Sequence, residues 1–123
     1  MTHPILDISG KICFVTGGTS GLGKAIAIGY AQAGAKVIAA SSNPDKVQAM
    51  LKELTAISSG HDAIALNVTD PAAVDTAIRD AAKKYGRIDV VVSAAGAHKK
   101  QPALEMAVEE YERIIRINLI GSF

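Results

Sequence analysis

Apolar and polar positions along this chain alternate between two periods. Residues 12–16, 36–41, 63–68 and 88–93 are short apolar runs, the pattern of strands buried between two helical layers. Between them the spacing turns helical. Val47, Met50, Leu51 and Leu54 share one helical face, and Val74, Ala77, Ile78, Ala81 and Tyr85 share another. Asn43-Pro44 and Asp70-Pro71 each set a capping side chain before a proline at the first helical position. Gly34 and Gly86 follow the ends of two helices, where glycine takes a left-handed cap without steric cost. Strands and helices joined by such short connections predict right-handed crossovers and a parallel sheet. The expected fold is α/β: half of a doubly wound sheet, strands in the spatial order 3-2-1-4, in one domain over residues 1–123. Residues 108–123 read as a terminal helix with no strand after it, so the domain reads as incomplete at its C-terminus.

Composition narrows the classes without choosing among them. The 123 residues are 49% hydrophobic and 20% charged, with net charge +1. Such a charge leaves no electrostatic footprint for nucleic acid or an anionic membrane. No apolar stretch approaches the roughly 20 residues of a spanning helix. His3 and Asp7 around Pro4 do not give the basic-then-apolar order of a signal peptide. The single cysteine, Cys13, has no disulfide partner in the chain and reads as a packed thiol in a reducing, cytoplasmic setting.

The chemistry begins where the first strand ends. Thr16-Gly17-Gly18-Thr19-Ser20-Gly21-Leu22-Gly23 lies between a buried strand and a helix. Glycines serve where backbone N–H groups must approach a diphosphate with no Cβ in the way. The helix N-terminus adds partial positive charge. Two motifs compete for this loop. Gly18 to Lys24 satisfies most of a nucleotide triphosphatase P-loop, but the next residue is Ala25, with no hydroxyl for Mg²⁺. The strands that follow also end without an acid, at Asn67 and Ser93. The alternative, Thr-Gly, three residues, Gly, one residue, Gly, matches fully at Thr16, Gly17, Gly21 and Gly23.

That loop resembles the glycine loop of the short-chain dehydrogenase/reductase family, and the resemblance runs the length of the chain. Leu66-Asn67-Val68-Thr69-Asp70 resembles the family's Asp-Val segment at the adenine. Ser93-Ala94-Ala95-Gly96 resembles its Asn-Asn-Ala-Gly turn, and Ile117-Asn118-Leu119 the helix segment with its catalytic asparagine. The resemblance implies a Rossmann-type fold and an NAD(P)-dependent alcohol–ketone oxidoreductase. It places the cofactor on Gly17, Thr19, Ser20, Gly21, Leu22, Gly23, Asn67, Val68, Ala94 and Gly96. Asn118 would be the asparagine that orders a water. Two departures stand out. Asn67 replaces an aspartate, though its amide oxygen can accept from the adenine amino group. Ser93-Ala94 replaces two asparagines whose side chains tie the central strands.

NAD sites usually place a carboxylate on the adenosine ribose after the second strand. Here residues 24–44 contain no Asp or Glu, and the strand ends in Ser41 and Ser42. NADP is therefore expected, with NAD as the alternative; the arginine that NADP-using relatives carry at Ser42 is missing, and the reach of Lys24 is open. Asn118 shares a helical face with Tyr111, Ile114, Ile115 and Leu119. On the residues alone an amide on that stripe bonds to neighbouring backbone; on the resemblance it is the catalytic-type asparagine. The family's serine and its tyrosine–lysine pair have no counterpart. Four residues after Tyr30, Tyr85 and Tyr111 stand Gly34, Asp89 and Ile115. His98, Lys99 and Lys100 read as a solvated loop, and residues 97–106 resemble relatives acting on sugar acids and polyols. The chain reads as the cofactor-binding part of such an enzyme, without turnover of its own. The alternative is an inactive nucleotide-binding module, or a fragment that needs self-association or a partner chain.

Overall fold

The computed structural model describes residues 4–123; the N-terminal reading at His3 lies outside them. Four strands, β1 (Ile12–Thr16), β2 (Lys36–Ser41), β3 (Asp62–Ala65) and β4 (Val90–Ser93), form one sheet in the order β3-β2-β1-β4. Every pairing is parallel, with Phe14 opposite Ile38 on one side and Val91 on the other. The helices are α1 (Gly21–Gln32), α2 (Pro44–Ile57), α3 (Pro71–Tyr85) and α4 (Val108–Ile115). The expected fold class and strand order are those observed.

Alternation along β1 and β2 splits the core between the two faces. Cys13, Val15, Val37 and Ala39 meet Ala27 and Ala31 of α1 and Val47, Met50 and Leu54 of α2. Ile12, Phe14, Ile38 and Ala40 meet Ala77, Ile78 and Ala81 of α3. Fully burying Phe14, Ile38, Met50 or Leu54 is worth roughly 1.5–3 kcal/mol each. Local chemistry sets the helix limits. Asn43 Oδ1 accepts from the N–H groups of Asp45 and Lys46, and Asp70 caps α3 through Ala73 N–H. Gly86 closes α3 with φ +83°.

The structure trims three elements. β3 begins at Asp62 and ends at Ala65, short of Val68; one further bond, Leu66 N–H to Ser41 O (2.8 Å), ends the pairing. β4 starts at Val90, because Asp89 turns its carboxylate back onto Ile12 N–H (2.8 Å). The terminal helix is α-helical only to Ile115, then makes a π-helical turn, Arg116–Ile120, closed by Gly121 N–H donating to Arg116 O at 2.7 Å. β1 and β2 are buried as expected, whereas β4 leaves Val91 61% exposed.

Candidate functional site

All four strands run the same way, so their C-terminal ends lie along one edge, and that edge carries the glycine loop. Thr16 sits between Ala40 of β2 and Ser93 of β4. The chain turns there at Gly17 (φ +65°) and Gly18 N–H donates to Ala40 O at 3.2 Å. A Cβ on Gly17 would stand 2.6 Å from Ala94 O, and one on Gly23 would collide with Gly17 O. Glycine at these two positions lets the loop lie flat against the turn after β4 and lets α1 begin directly above it.

The strand tie expected of the missing asparagine pair is made by other atoms. Ala94 N–H donates to Thr16 O (3.2 Å), and Thr16 Oγ1 accepts from Ala95 N–H and donates to Val92 O, both at 3.4 Å. Thr16, matched in the loop motif, thus ties β1 to the turn after β4 through its backbone and its hydroxyl.

A cleft of about 360 Å³ opens above this edge. Of the residues anticipated from sequence, Gly17, Thr19, Ser20, Ser41, Ser42, Asn67, Val68 and Gly96 line it. Four separate segments thus meet on one hollow. Gly21, Leu22 and Gly23 form the first turn of α1 and are not on its wall, and Ala94 lies beneath Gly17. The wall also includes Ile117 and Ala97, and Lys46 and Arg113, two cations that sequence reasoning did not single out. Lys46 could have been found as the cation in the helix turn after β2.

The donor set suits an anion with an apolar body. Ser20 is the N-cap residue of α1, yet its side chain makes no capping bond, so the first-turn N–H groups have neither a helical nor a side-chain partner there. A diphosphate is the group such a turn holds, and Gly17 and Gly23 let the turn and the helix start pack closely enough to form it. Lys24 does not reach into the cleft: its Nζ pairs with Glu53 at 2.8 Å. Arg113 is held by both oxygens of Glu110 (2.7 and 3.2 Å), and those bonds raise its pKa and lower that of Glu110.

Two side chains behave differently from their expectation. Asn67 Oδ1 accepts from both Thr69 N–H (3.0 Å) and Thr69 Oγ1 (2.7 Å). Both its lone pairs are spent, so the amide NH₂ is what Asn67 offers the cleft. Asn118 is exposed, not on a buried stripe. Its Oδ1 accepts from Ala97 N–H and its Nδ2 donates to Ala97 O, both at 2.7 Å. The paired backbone bond, read from the residues alone, is therefore present, and it fixes the turn after Gly96 to α4. On the same face of the sequence stripe, Leu119 is 67% exposed, while Ile114 and Ile115 are half-buried. His98, Lys99 and Lys100 are exposed, as a solvated loop should be.

A larger hollow, about 520 Å³, lies between α3 and β3 over Ile38, Ile64 and Leu66. It has no glycine turn and no helix N-terminus free of its cap, since Asp70 is bonded to Ala73 N–H at 3.1 Å. The smaller cleft is the better anion site. Among the described residues no helix is long and apolar enough to cross a membrane, and no group of His, Cys, Asp and Glu is arranged to hold a metal.

Comparison with known proteins agrees with this geometry. The family model described as short chain dehydrogenase matches residues 11–123. The 3-oxoacyl-(acyl-carrier-protein) reductase of Thermotoga maritima is 36% identical over 118 residues, which are 96% of this chain and 48% of that protein. D-threitol dehydrogenase of Mycolicibacterium smegmatis is 36% identical, over 94% of this chain and 45% of its own length. A crystal structure of a short-chain type dehydrogenase/reductase from Mycobacterium marinum superposes with TM-score 0.89 at 35% identity, covering 95% of this chain and 47% of that one. The chain spans about half the length of the curated relatives it matches. Members of this family bind an NAD(P) dinucleotide. With its parallel 3-2-1-4 sheet and its glycine loop at the strand ends, this chain belongs to the short-chain dehydrogenase family.

Proposed function

We propose that this chain is the dinucleotide-binding part of an NAD(P)-dependent oxidoreductase that moves a hydride between an alcohol and a ketone, and that NADP is its preferred cofactor. One observation carries the reading: four segments far apart in sequence converge on a cleft whose floor is a glycine turn leading into an uncapped helix. In this reading the diphosphate rests on the turn at Gly17 and faces the N-terminus of α1, with Thr19 and Ser20 at its side. The adenosine lies between Ser41 and Ser42 on one wall and Asn67 and Val68 on the other. Gly96 and the backbone around Ala94 border the ribose nearer the reacting end. The nicotinamide ring, when bound, supplies or accepts the hydride.

Asn118 holds the turn after β4 in place through Ala97, and each end of its amide keeps one further valence, a hydrogen on Nδ2 and a lone pair on Oδ1. We assign it the ordering of a water beside the reacting centre. An ordered water cannot supply the acid that hydride transfer to a carbonyl needs, with a pKa drawn toward neutrality. None of the three tyrosines has a lysine four residues on. The chain therefore binds cofactor without turning over substrate. Relatives named for D-threitol and for 2-dehydro-3-deoxy-D-gluconate support polyols and sugar acids as the substrate class of the whole enzyme. Buried Cys13 suits a reducing, cytoplasmic setting.

Fluorescence titration of the chain with NADPH and NADH tests the reading. Saturable binding of both, tighter for NADPH, is expected. In the same samples, nicotinamide absorbance should stay constant when sugars, polyols and ketones are added. Absence of saturable binding by either cofactor refutes the proposal, and steady turnover by pure chain refutes its second half.

A further inference from the structure

One cation on the cleft wall has no partner. Lys46 lies in the first turn of α2 and lines the cleft beside Ser41, Ser42 and Asn43. Among the described residues its ammonium makes neither an ion pair nor a hydrogen bond. The other nearby cations are committed: Lys24 to Glu53 at 2.8 Å, and Arg113 to both oxygens of Glu110. Among the described residues no carboxylate lines the cleft opposite Lys46. Residues 24–44 have none, and Asp45, its neighbour in sequence, is not part of the wall.

Hydroxyl donors stand beside it. Ser41 Oγ accepts from Asn43 N–H at 3.2 Å, which leaves its own O–H free to donate. Ser42 is exposed on the wall and has no partner among the described residues. The helix N-terminus itself is not the site, because Asn43 Oδ1 already takes the N–H groups of Asp45 and Lys46 at 3.0 and 3.2 Å. Any anion here must be met by side chains.

A free ammonium, two hydroxyl donors and no acid match a compact dianion with several acceptor oxygens. A phosphomonoester carries about −1.5 to −2 charges at pH 7. A ribose diol would use the hydroxyls but give the ammonium no counter-charge. We propose that Lys46 is the residue that selects a 2′-phosphorylated dinucleotide over an unphosphorylated one, with Ser41 and Ser42 donating to the same phosphate. The inference rests on the dinucleotide reading of the cleft and adds the residue that sets its preference. Lys46 acts as a point charge, so arginine can stand in for it and glutamine cannot.

The test titrates the whole chain and its Lys46→Gln and Lys46→Arg variants with NADPH and with NADH, using 2′-AMP and 5′-AMP as competitors. Lys46→Gln should weaken NADPH about tenfold, the scale of a lost charge-assisted bond, and NADH less than twofold. Lys46→Arg should keep NADPH within about threefold of the starting chain. In Lys46→Gln, 2′-AMP should lose its advantage over 5′-AMP. The NADPH preference of the starting chain should also narrow as salt rises. Equal weakening of both cofactors, with far-ultraviolet circular dichroism unchanged, would place Lys46 on a shared part of the ligand and overturn the proposal. Unchanged NADPH binding would overturn it too. Should the starting chain bind neither cofactor, the dinucleotide reading itself falls, a failure visible before any variant is made.

Discussion

Replacing Gly17 by alanine should damage this fold more than the same change at Gly86, and the structure says by how much. Both glycines have left-handed backbone, φ +65° and +83°. A side chain in that region costs about 1–2 kcal/mol wherever it occurs. At Gly86 the new methyl meets nothing within 4 Å, so that cost is the whole effect. At Gly17 it would sit 2.6 Å from Ala94 O and 2.7 Å from Ala95 N, both backbone atoms of the turn that β4 feeds. Both belong to the turn that the Ala94 N–H bond ties to Thr16 O. Overpacking of this kind adds about 1–3 kcal/mol. For a domain of this size each kcal/mol moves Tm by roughly 4 °C, so Gly17→Ala should melt about 4–12 °C below Gly86→Ala. Circular dichroism melts of the two variants measure the gap. In the same pair, NADPH binding should fall more than tenfold for Gly17→Ala and stay unchanged for Gly86→Ala. Melting points within about 1 °C of each other would show that the loop does not lie against the β4 turn, and the reasoning would fail.

Three further outcomes are expected. His61 is buried, its Nδ1 accepts from Val37 N–H (3.1 Å) and its Nε2 meets Ser58 Oγ (2.8 Å); burial, with Lys36 nearby, pushes its pKa below the ordinary 6.5. A lowered histidine contributes stability that is whole above 6.5 and is lost as pH falls below it, so Tm should drop between pH 7 and 5, and a His61→Gln variant that melts with the same slope would refute this. Asn118→Leu removes both bonds to Ala97, so the Ala97 amide should exchange hydrogen about tenfold faster; unaltered protection would show that the amide does not hold the turn. Tyr111, Leu119 and Ile120 of the terminal helical segment and Val91 of β4 are each more than half exposed, apolar area that association between copies would cover. Sedimentation should therefore show self-association that Leu119→Glu with Ile120→Lys reduces, and a monodisperse monomer before substitution would contradict it.

Helix caps and the glycine loop were legible in the sequence because each is set by neighbours in the chain, and sheet order because short connections between strands and helices allow few parallel arrangements. Asn43 and Asp70 cap through residues two or three positions on, and β1 and β2 declare themselves by unbroken apolar runs. The misread ends depend on distant partners. Leu66 is apolar and buried like a strand residue, but β2 offers its last carbonyl at Ser41, so pairing stops there. Nothing local announces that Asp89 will bond Ile12, 77 residues away, and delay β4. The π-helical turn at Arg116–Ile120 ends at Gly121, where a Cβ would stand 2.8 Å from Val68 Cγ2, a long-range neighbour that the helical pattern does not announce. At the site, residue types were readable but commitments were not. Asn67 spends its oxygen on Thr69 and Lys24 its charge on Glu53. Lys46 has no partner because, among the described residues, no carboxylate folds to meet it.

The central claim is that four segments of this chain build one dinucleotide site at the C-terminal ends of the strands. Amide chemical shifts recorded during NADPH titration test it most directly. The account predicts that the largest changes fall in residues 17–23, 41–46, 67–68 and 95–97, with Gly17, Ser42, Asn67 and Gly96 moving at a common dissociation constant. Changes concentrated instead on Ile64, Ala73, Ala77 and Ala81, around the larger hollow under α3, would contradict it.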